Sequence, residues 1–232
     1  MKTQVPFIYS LRYFSFFFIF VLFFIFGCSS SNKSATAKNA LPKSGRLVDD
    51  KPVGKGWVNL IGSMNDWNAA KPYWTFENGI LHGDYHGGQY HNYAYTKTIY
   101  TNFELNAVVR MSGKDANSGV CIRIKPTDAD NVPGYQVDMG PGYWGCLWEE
   151  RRAEMVQQYP KDLADKLVKA NDWNHYYIIA NGHHIEAWLN GVKTIDTIHL
   201  TGFSEGAIGI QLCHGDKHTV VDVKTLSIRE IK

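Results

Sequence analysis

The chain has 232 residues, a formal net charge of +2, 14% aromatic and 20% charged residues. That balance gives no electrostatic case for nucleic acid, and the Lys and Arg residues are scattered rather than gathered into a patch. The aromatic content fits a globular protein with Trp and Tyr to spare for a site.

Residues 1–28 read as an export signal. Lys2 and Arg12 make a positive start, and Phe14 to Phe26 is apolar except for Ser15. This run is shorter than the ~20 residues of a comfortable transmembrane helix and matches a secretory signal core. Ile25-Phe26-Gly27-Cys28 resembles a bacterial lipobox, in which Cys28 becomes the lipidated first residue; a single-pass anchor is the alternative. Either way the domain is expected outside the cytoplasm and tethered to a membrane, on its periplasmic face or at the outer membrane. Residues 29–47, rich in Ser, Asn, Lys and Ala, lack apolar periodicity and are expected to be a disordered spacer. Roughly 190 residues follow, enough for one all-β domain with a real core.

The domain, taken as 48–232, opens near Gly56-Trp57-Val58-Asn59-Leu60. Asn65 to Trp67 reads as a turn. Trp74 to Leu81 is a hairpin signal, because Asn78-Gly79 is a favoured two-residue turn between strands. His82 to His91, HGDYHGGQYH, packs three His, one Asp and two Tyr among glycines. Its His and Asp suit a divalent ion; its spacing matches no zinc signature, and a Gly-rich loop beside a cleft is the other reading. Tyr93 to Ile99 and Phe103 to Met111 read as strands.

Asn117 to Arg152 holds two alternating runs. Val120, Ile122 and Ile124 take one parity, Cys121, Arg123 and Lys125 the other. Tyr135, Val137 and Met139 alternate with Gln136 and Asp138. Period-two alternation marks strands with one face in a core. The other face carries Arg123, Gln136 and Asp138, groups that bind and orient polar ligands. Trp148 and Glu150 extend that face if their strand is a neighbour, and the parity of Trp148 favours Glu150 over Glu149. An ordinary solvated face with cross-strand ion pairs would show the same alternation.

Ala153 to Ala170 is the one helix-like region, with Leu163, Leu167 and Val168 as its apolar face. Trp173 to Ala180, His184 to Leu189 and Val192 to Ile195 read as strands, with turn dipeptides at Asn181-Gly182 and Asn190-Gly191. In Gly206 to Cys213, Ile208, Ile210 and Leu212 point inward, and Gly209, Gln211 and Cys213 outward. Val220 to Ile231 closes the domain. Strands recurring every 8–12 residues with little helix describe an all-β sandwich or jelly roll with one short surface helix. Beyond Cys28, the odd count of Cys121, Cys146 and Cys213 leaves at least one unpaired, with the pairing open. The absence of CxxC argues against structural zinc.

The ordered set GWVNLIG, WTFENGILHG, YTNFEL, NSGVCIR, GYQVDMG, NDWNHYYIIANGHHIEAWLNG, GAIGIQLCHG and VKTLSIREI resembles the 3-keto-disaccharide hydrolase domain family over residues Gly56 to Lys232. The resemblance implies a concanavalin A-like jelly roll acting on sugars whose 3-hydroxyl is oxidised to a ketone, and an exported or lipid-anchored protein. HGDYHGGQYH and GDKHTVVD depart from the family's usual pattern. A ketone at carbon 3 acidifies the proton on carbon 2, so a base can remove it and the glycosidic oxygen on carbon 1 can leave. This elimination differs from ordinary glycosidase chemistry at an oxocarbenium-like centre. It needs a base tuned near neutrality, donors or a cation facing the enolate oxygen, and an acid for the leaving group.

Arg123 is the candidate clamp on the oxyanion or the sugar, its fork matching two oxygens. Asp138 could serve as a base, and His214, with an imidazole pKa of ~6.5, as base or metal ligand. Glu150 completes the catalytic candidates. Gln136, Gln211, Tyr143, Trp144 and Trp148 are candidate sugar contacts; Trp144 and Trp148 would offer flat apolar faces unless core packing claims them. A divalent ion, if present, would draw ligands from His82, His86, His91, His214 and Asp138 and polarise the ketone. A non-catalytic carbohydrate-binding protein and a structural lipoprotein are the competing readings. Convergence of Arg123, Asp138, a glutamate of the 149–150 pair (Glu150 by parity) and His214 on one cleft would favour the enzyme, and a cleft with only Trp, Tyr and Asn would favour the binder.

Overall fold

The computed structural model describes residues 39–70, 72–127, 132–213 and 218–232. The lipidation candidate Cys28 and the signal segment lie outside the described residues. No helix among the described residues is long and apolar enough to cross a membrane.

In chain order the strands are β1 (Leu47–Val48), β2 (Lys51–Pro52), β3 (Val58–Asn59), β4 (Trp67–Ala69), β5 (Trp74–Glu77), β6 (Ile80–Tyr85), β7 (Asn92–Thr96), β8 (Phe103–Ser112), β9 (Ser118–Ile124), β10 (Tyr135–Met139), β11 (Leu147–Glu149) and β12 (Glu154–Gln157). Helix α1 (Lys161–Leu167) follows, then β13 (Asn174–Asn181), β14 (His184–Leu189), β15 (Val192–Ile198), β16 (Ala207–Leu212) and β17 (Thr219–Glu230). One sheet runs β12-β11-β10-β9-β16-β7-β4, and the larger runs β15-β14-β13-β8-β17-β6-β5 with β3 paired to β17. β1 and β2 form a separate ribbon. Neighbouring strands in both large sheets pair antiparallel. The expected all-β jelly-roll sandwich is the architecture found.

The core is the apolar parity of both sheets. Val120, Ile122, Val137, Met139, Ile208, Ile210 and Leu212 face Leu105, Ala107, Val109, Tyr176 and Ile178 in one cluster. Strand β17 holds this parity through a bulge. Val221 and Val223 point inward, the register slips between Val223 and Thr225, and Leu226 and Ile228 point inward again. One extra residue thus keeps two apolar pairs on the same face of a twelve-residue strand. The Asn78-Gly79 and Asn190-Gly191 dipeptides form the expected tight turns, with φ of 53° and 77°, and 50° and 88°. Both central residues of such a turn need positive φ, which selects Asn and Gly.

Two expectations change here. The helix-like stretch splits: residues 154–157 join the small sheet as β12, and only Lys161–Leu167 is helical. Its buried side is Ala164 with the partly buried Leu167 and Val168, while Leu163 faces solvent. The second half of the expected spacer is structured. Ala40 bridges to Val192, Ser44 Oγ lies 2.8 Å from the Tyr177 hydroxyl, and Trp188 Nε1 donates to the Asn39 carbonyl. A sequence without periodicity can still be ordered when it lies along a sheet and supplies a backbone carbonyl to a buried Trp and a side-chain hydroxyl to a buried Tyr.

Candidate functional site

The outer face of the small sheet carries a cleft of about 410 Å³ over β11, β10 and β16. Register assembles it. Gln136 pairs with Trp148 on one side and Cys121 on the other, and Asp138 pairs with Gly119. Cys121 pairs with Gly209, and Gln211 with Tyr93. Side chains two apart on a strand share a face, so Gln136 and Asp138 stand together there, as do Trp148 and Glu150. The lining includes Gln136, Asp138, Tyr143, Trp148, Glu150 and Gln211, six of the residues singled out from sequence.

The floor is one hydrogen-bond network. Gln136 Nε2 donates to Asp138 Oδ1 at 2.6 Å and to Gln211 Oε1 at 3.3 Å. Gln211 Nε2 donates to the Tyr93 hydroxyl at 2.8 Å and to Glu150 Oε1 at 3.5 Å. Cys121 Sγ donates to Gln136 Oε1 at 3.4 Å. Two carboxylates are therefore joined through two amides, and each amide is held at both ends. Gln136 crosses β9 at Gly119, where a Cβ would overlap its Cγ. Glycine at this position gives the bulky amide its path to Gln211.

Burial governs the charge state. Asp138, 4% exposed, has its carboxyl pushed up to about 7, mainly by loss of solvation; Gln136's hydrogen bond opposes the rise and Glu150's charge adds to it. Glu150 is pushed up to about 7 by burial as well, restrained by hydrogen bonds from Trp148 and Gln211 and raised by Glu149. Two carboxyls held toward neutrality in one open cleft are groups of the kind that can give and take protons there.

The remaining candidates go elsewhere. Arg123 is fully buried and does not line the cleft. Its guanidinium donates to the carbonyls of Thr101 (2.7 and 3.2 Å), Gly182 (2.6 Å) and Phe203 (3.5 Å). The cause is a bulge. Arg123 adopts φ 52°, and the pairing of β9 with β16 advances from Cys121–Gly209 to Ile124–Ala207. Parity reverses there, so Ile124 clusters with Cys121, Tyr93, Val132 and Ala207 on the outer face. Trp144 is a core residue, stacked on Tyr176 with centroids 6.3 Å apart, and offers no sugar platform. Glu149 turns inward, fully buried, paired with Arg152 at 3.1 Å and Arg151 at 3.7 Å. His214 lies outside the described residues. His82 Nδ1 is engaged by Asp222 at 2.7 Å, a carboxylate that Arg110 also holds, away from the cleft lining. Cys121 and Cys146 are free and buried.

Sequence reasoning missed Asn117, Ala153 and Cys213 in the cleft wall, and the floor residue Tyr93. His91, considered only as a metal ligand, also lines the cleft. The signal for Tyr93 was present: Tyr93 and Tyr95 alternate with Asn92, Ala94 and Thr96, which puts both Tyr on one face of β7.

A family model described as a 3-keto-alpha-glucoside-1,2-lyase-like domain matches residues 47–232. Among solved structures, a Parabacteroides distasonis protein assigned as a glycosyl hydrolase is 22% identical over 75% of this chain and 99% of its own, with a TM-score of 0.55. A second protein so assigned, from the same organism, is 15% identical over 81% and 99%, with a TM-score of 0.58. The carbohydrate-binding module CBM66 of Bacillus subtilis is 16% identical over 75% and 96%, with a TM-score of 0.52. These likenesses concern the fold. No curated protein matches the sequence significantly.

Proposed function

The chain belongs to the family of 3-keto-alpha-glucoside-1,2-lyase-like domains, and we propose that it cleaves the glycosidic bond of 3-keto-glycosides by base-assisted elimination in the Asp138–Glu150 cleft. The observation that carries this reading is the pair itself: two carboxyls raised to about 7, bridged by Gln136 and Gln211, beside Tyr143 and Trp148.

The Asp138 carboxylate takes the proton from carbon 2, and the C–H electron pair moves into the enolate of the 3-ketone. The amide of Asn117 lines the same space and is the class of donor that stabilises a developing oxyanion, while the Gln136 and Gln211 amides are committed to the floor network. The enolate then re-forms the ketone, the C1–O bond breaks, and Glu150 gives its proton to the departing oxygen. The product is an unsaturated 3-keto sugar. Adding water across its C1–C2 double bond completes a net hydrolysis, and release before that step leaves the lyase product. Trp148 supplies an apolar face for the ring. The export signal and a lipid on Cys28 fit a protein meeting glycosides outside the cytoplasm and belong to the same proposal.

A second reading, carbohydrate binding without turnover, draws support from the amide-rich floor and from the fold's likeness to a carbohydrate-binding module. Sugar release separates the two. The purified chain, mixed with a 3-keto disaccharide and with its unoxidised parent, is expected to release monosaccharide from the keto form alone. Binding of both sugars without release would establish the second reading instead.

A further inference from the structure

We propose a divalent transition-metal site at the end of the large sheet, formed by Asp84, His86 and His218. Asp84 and His86 are two apart at the end of β6, so they project from one face. The ladder pairs Asp84 with Val220 and Tyr85 with Thr219. Continuing it by one residue sets His218 opposite His86, and the two imidazoles stack with centroids 4.0 Å apart. An i, i+2 pair plus the residue across the ladder presents three donors to one point.

The distances suit an ion. Asp84 Oδ1 lies 2.8 Å from His218 Nε2 and 3.7 Å from His86 Nε2, and all three donor atoms fall within 4.8 Å of one another. A tetrahedral zinc with ligands at ~2.0–2.1 Å separates its donors by about 3.4 Å, between those two values. Two imidazoles and a carboxylate favour zinc and its first-row neighbours over calcium or magnesium. Asp84 is half-buried and both His are exposed, which leaves coordination positions open to water.

The other three-donor group among the described residues, His184, Glu186 and Asp196, differs in one respect. Lys193 Nζ lies 2.5 Å from Glu186 and 2.8 Å from Asp196, so an ammonium already meets both carboxylates. No described Lys or Arg forms an ion pair with Asp84. The site is apart from the cleft chemistry but touches its frame, because His86 begins the loop that ends at His91 in the cleft wall.

The test uses the purified chain without a polyhistidine tag, stripped with chelator and titrated with zinc. A zinc-dependent rise of at least about 3 °C in Tm is expected, since binding to the folded state alone stabilises it. The rise should vanish in His86→Ala and in His218→Ala and persist in His184→Ala. Cobalt should give the visible absorption of a nitrogen- and oxygen-ligated ion in the wild type and lose it in His218→Ala. No zinc-dependent shift in the wild type, or a shift retained in both His86→Ala and His218→Ala, would overturn the site. Should either variant misfold, cobalt absorption of Asp84→Asn decides the same question.

Discussion

Gln136 Nε2 lies 2.6 Å from Asp138 Oδ1, two residues along the same strand. The bond favours the charged carboxylate, and burial disfavours it more, leaving Asp138 at about 7. A neutral amide thus tempers a large desolvation penalty without cancelling it. The outcome is a buried acid that is partly ionised near neutrality.

That balance has a stability consequence. The folded pKa of Asp138 is raised above the ordinary value of 3.8. Below about 4 the carboxyl is protonated in both states; between about 4 and 7 the folded state keeps a proton the unfolded chain has lost. Stability therefore falls as pH rises through this window. Asp138→Asn removes the burden, so it should be more stable than wild type at pH 8, by up to about 2–4 kcal/mol, and nearly equal to it at pH 4. Urea denaturation at both pH values checks this. An equal difference at the two pH values would contradict it.

Glu150 as proton donor predicts dependence on the leaving group. Glu150→Gln should lose about 10²–10⁴-fold with an alkyl aglycone, the usual range for a general acid. It should recover most of that loss with a nitrophenyl aglycone, which leaves without a proton. Asp138→Asn should not recover, because the missing base acts before the bond to carbon 1 breaks. Steady-state kcat/KM for both substrates and both variants gives the comparison.

Gly119→Ala places a methyl where Gln136 crosses β9. Overpacking of this kind costs about 1–3 kcal/mol. Gln136 must shift, and its bonds to Asp138 and Gln211 loosen together. Activity should drop at least tenfold in folded protein, and the acid limb of the pH–rate profile should move. An unchanged profile would show that the amide bridge does not tune the pair.

Sheet-borne parts of the site were legible in the sequence, and the others were not, for reasons local to the chain. Gln136, Asp138, Trp148, Glu150 and Gln211 lie in regular strands or just past a strand end, so alternation predicted their face. Arg123 obeyed the same alternation on paper, but the bulge at its positive φ reversed the parity within one residue. Nothing in NSGVCIR announces that bulge. Trp144 sits in the turn between β10 and β11, where strand parity has no meaning. The family resemblance reached the fold but could not say which polar side chains are spent on backbone carbonyls.

The corrected role of Arg123 makes an opposite prediction to that of a substrate clamp. Arg123→Met removes donors from the carbonyls of Thr101, Gly182 and Phe203. Each buried group left unpaired costs about 1–3 kcal/mol, so the variant should lose about 3 kcal/mol or more. Its KM and kcat per folded molecule should stay near wild type. Thermal unfolding with kinetics below the transition separates the two roles.

The most direct test of the elimination account follows the hydrogen on carbon 2. A 3-keto disaccharide is turned over in D2O, with an enzyme-free control for spontaneous exchange, and the released keto sugar is read by mass and NMR at early times. Elimination through Asp138 predicts deuterium at carbon 2, or an alkene with no hydrogen there, with neither formed by Asp138→Asn. Release of a sugar that keeps its original C2 hydrogen would mean direct displacement at carbon 1 and would contradict the account.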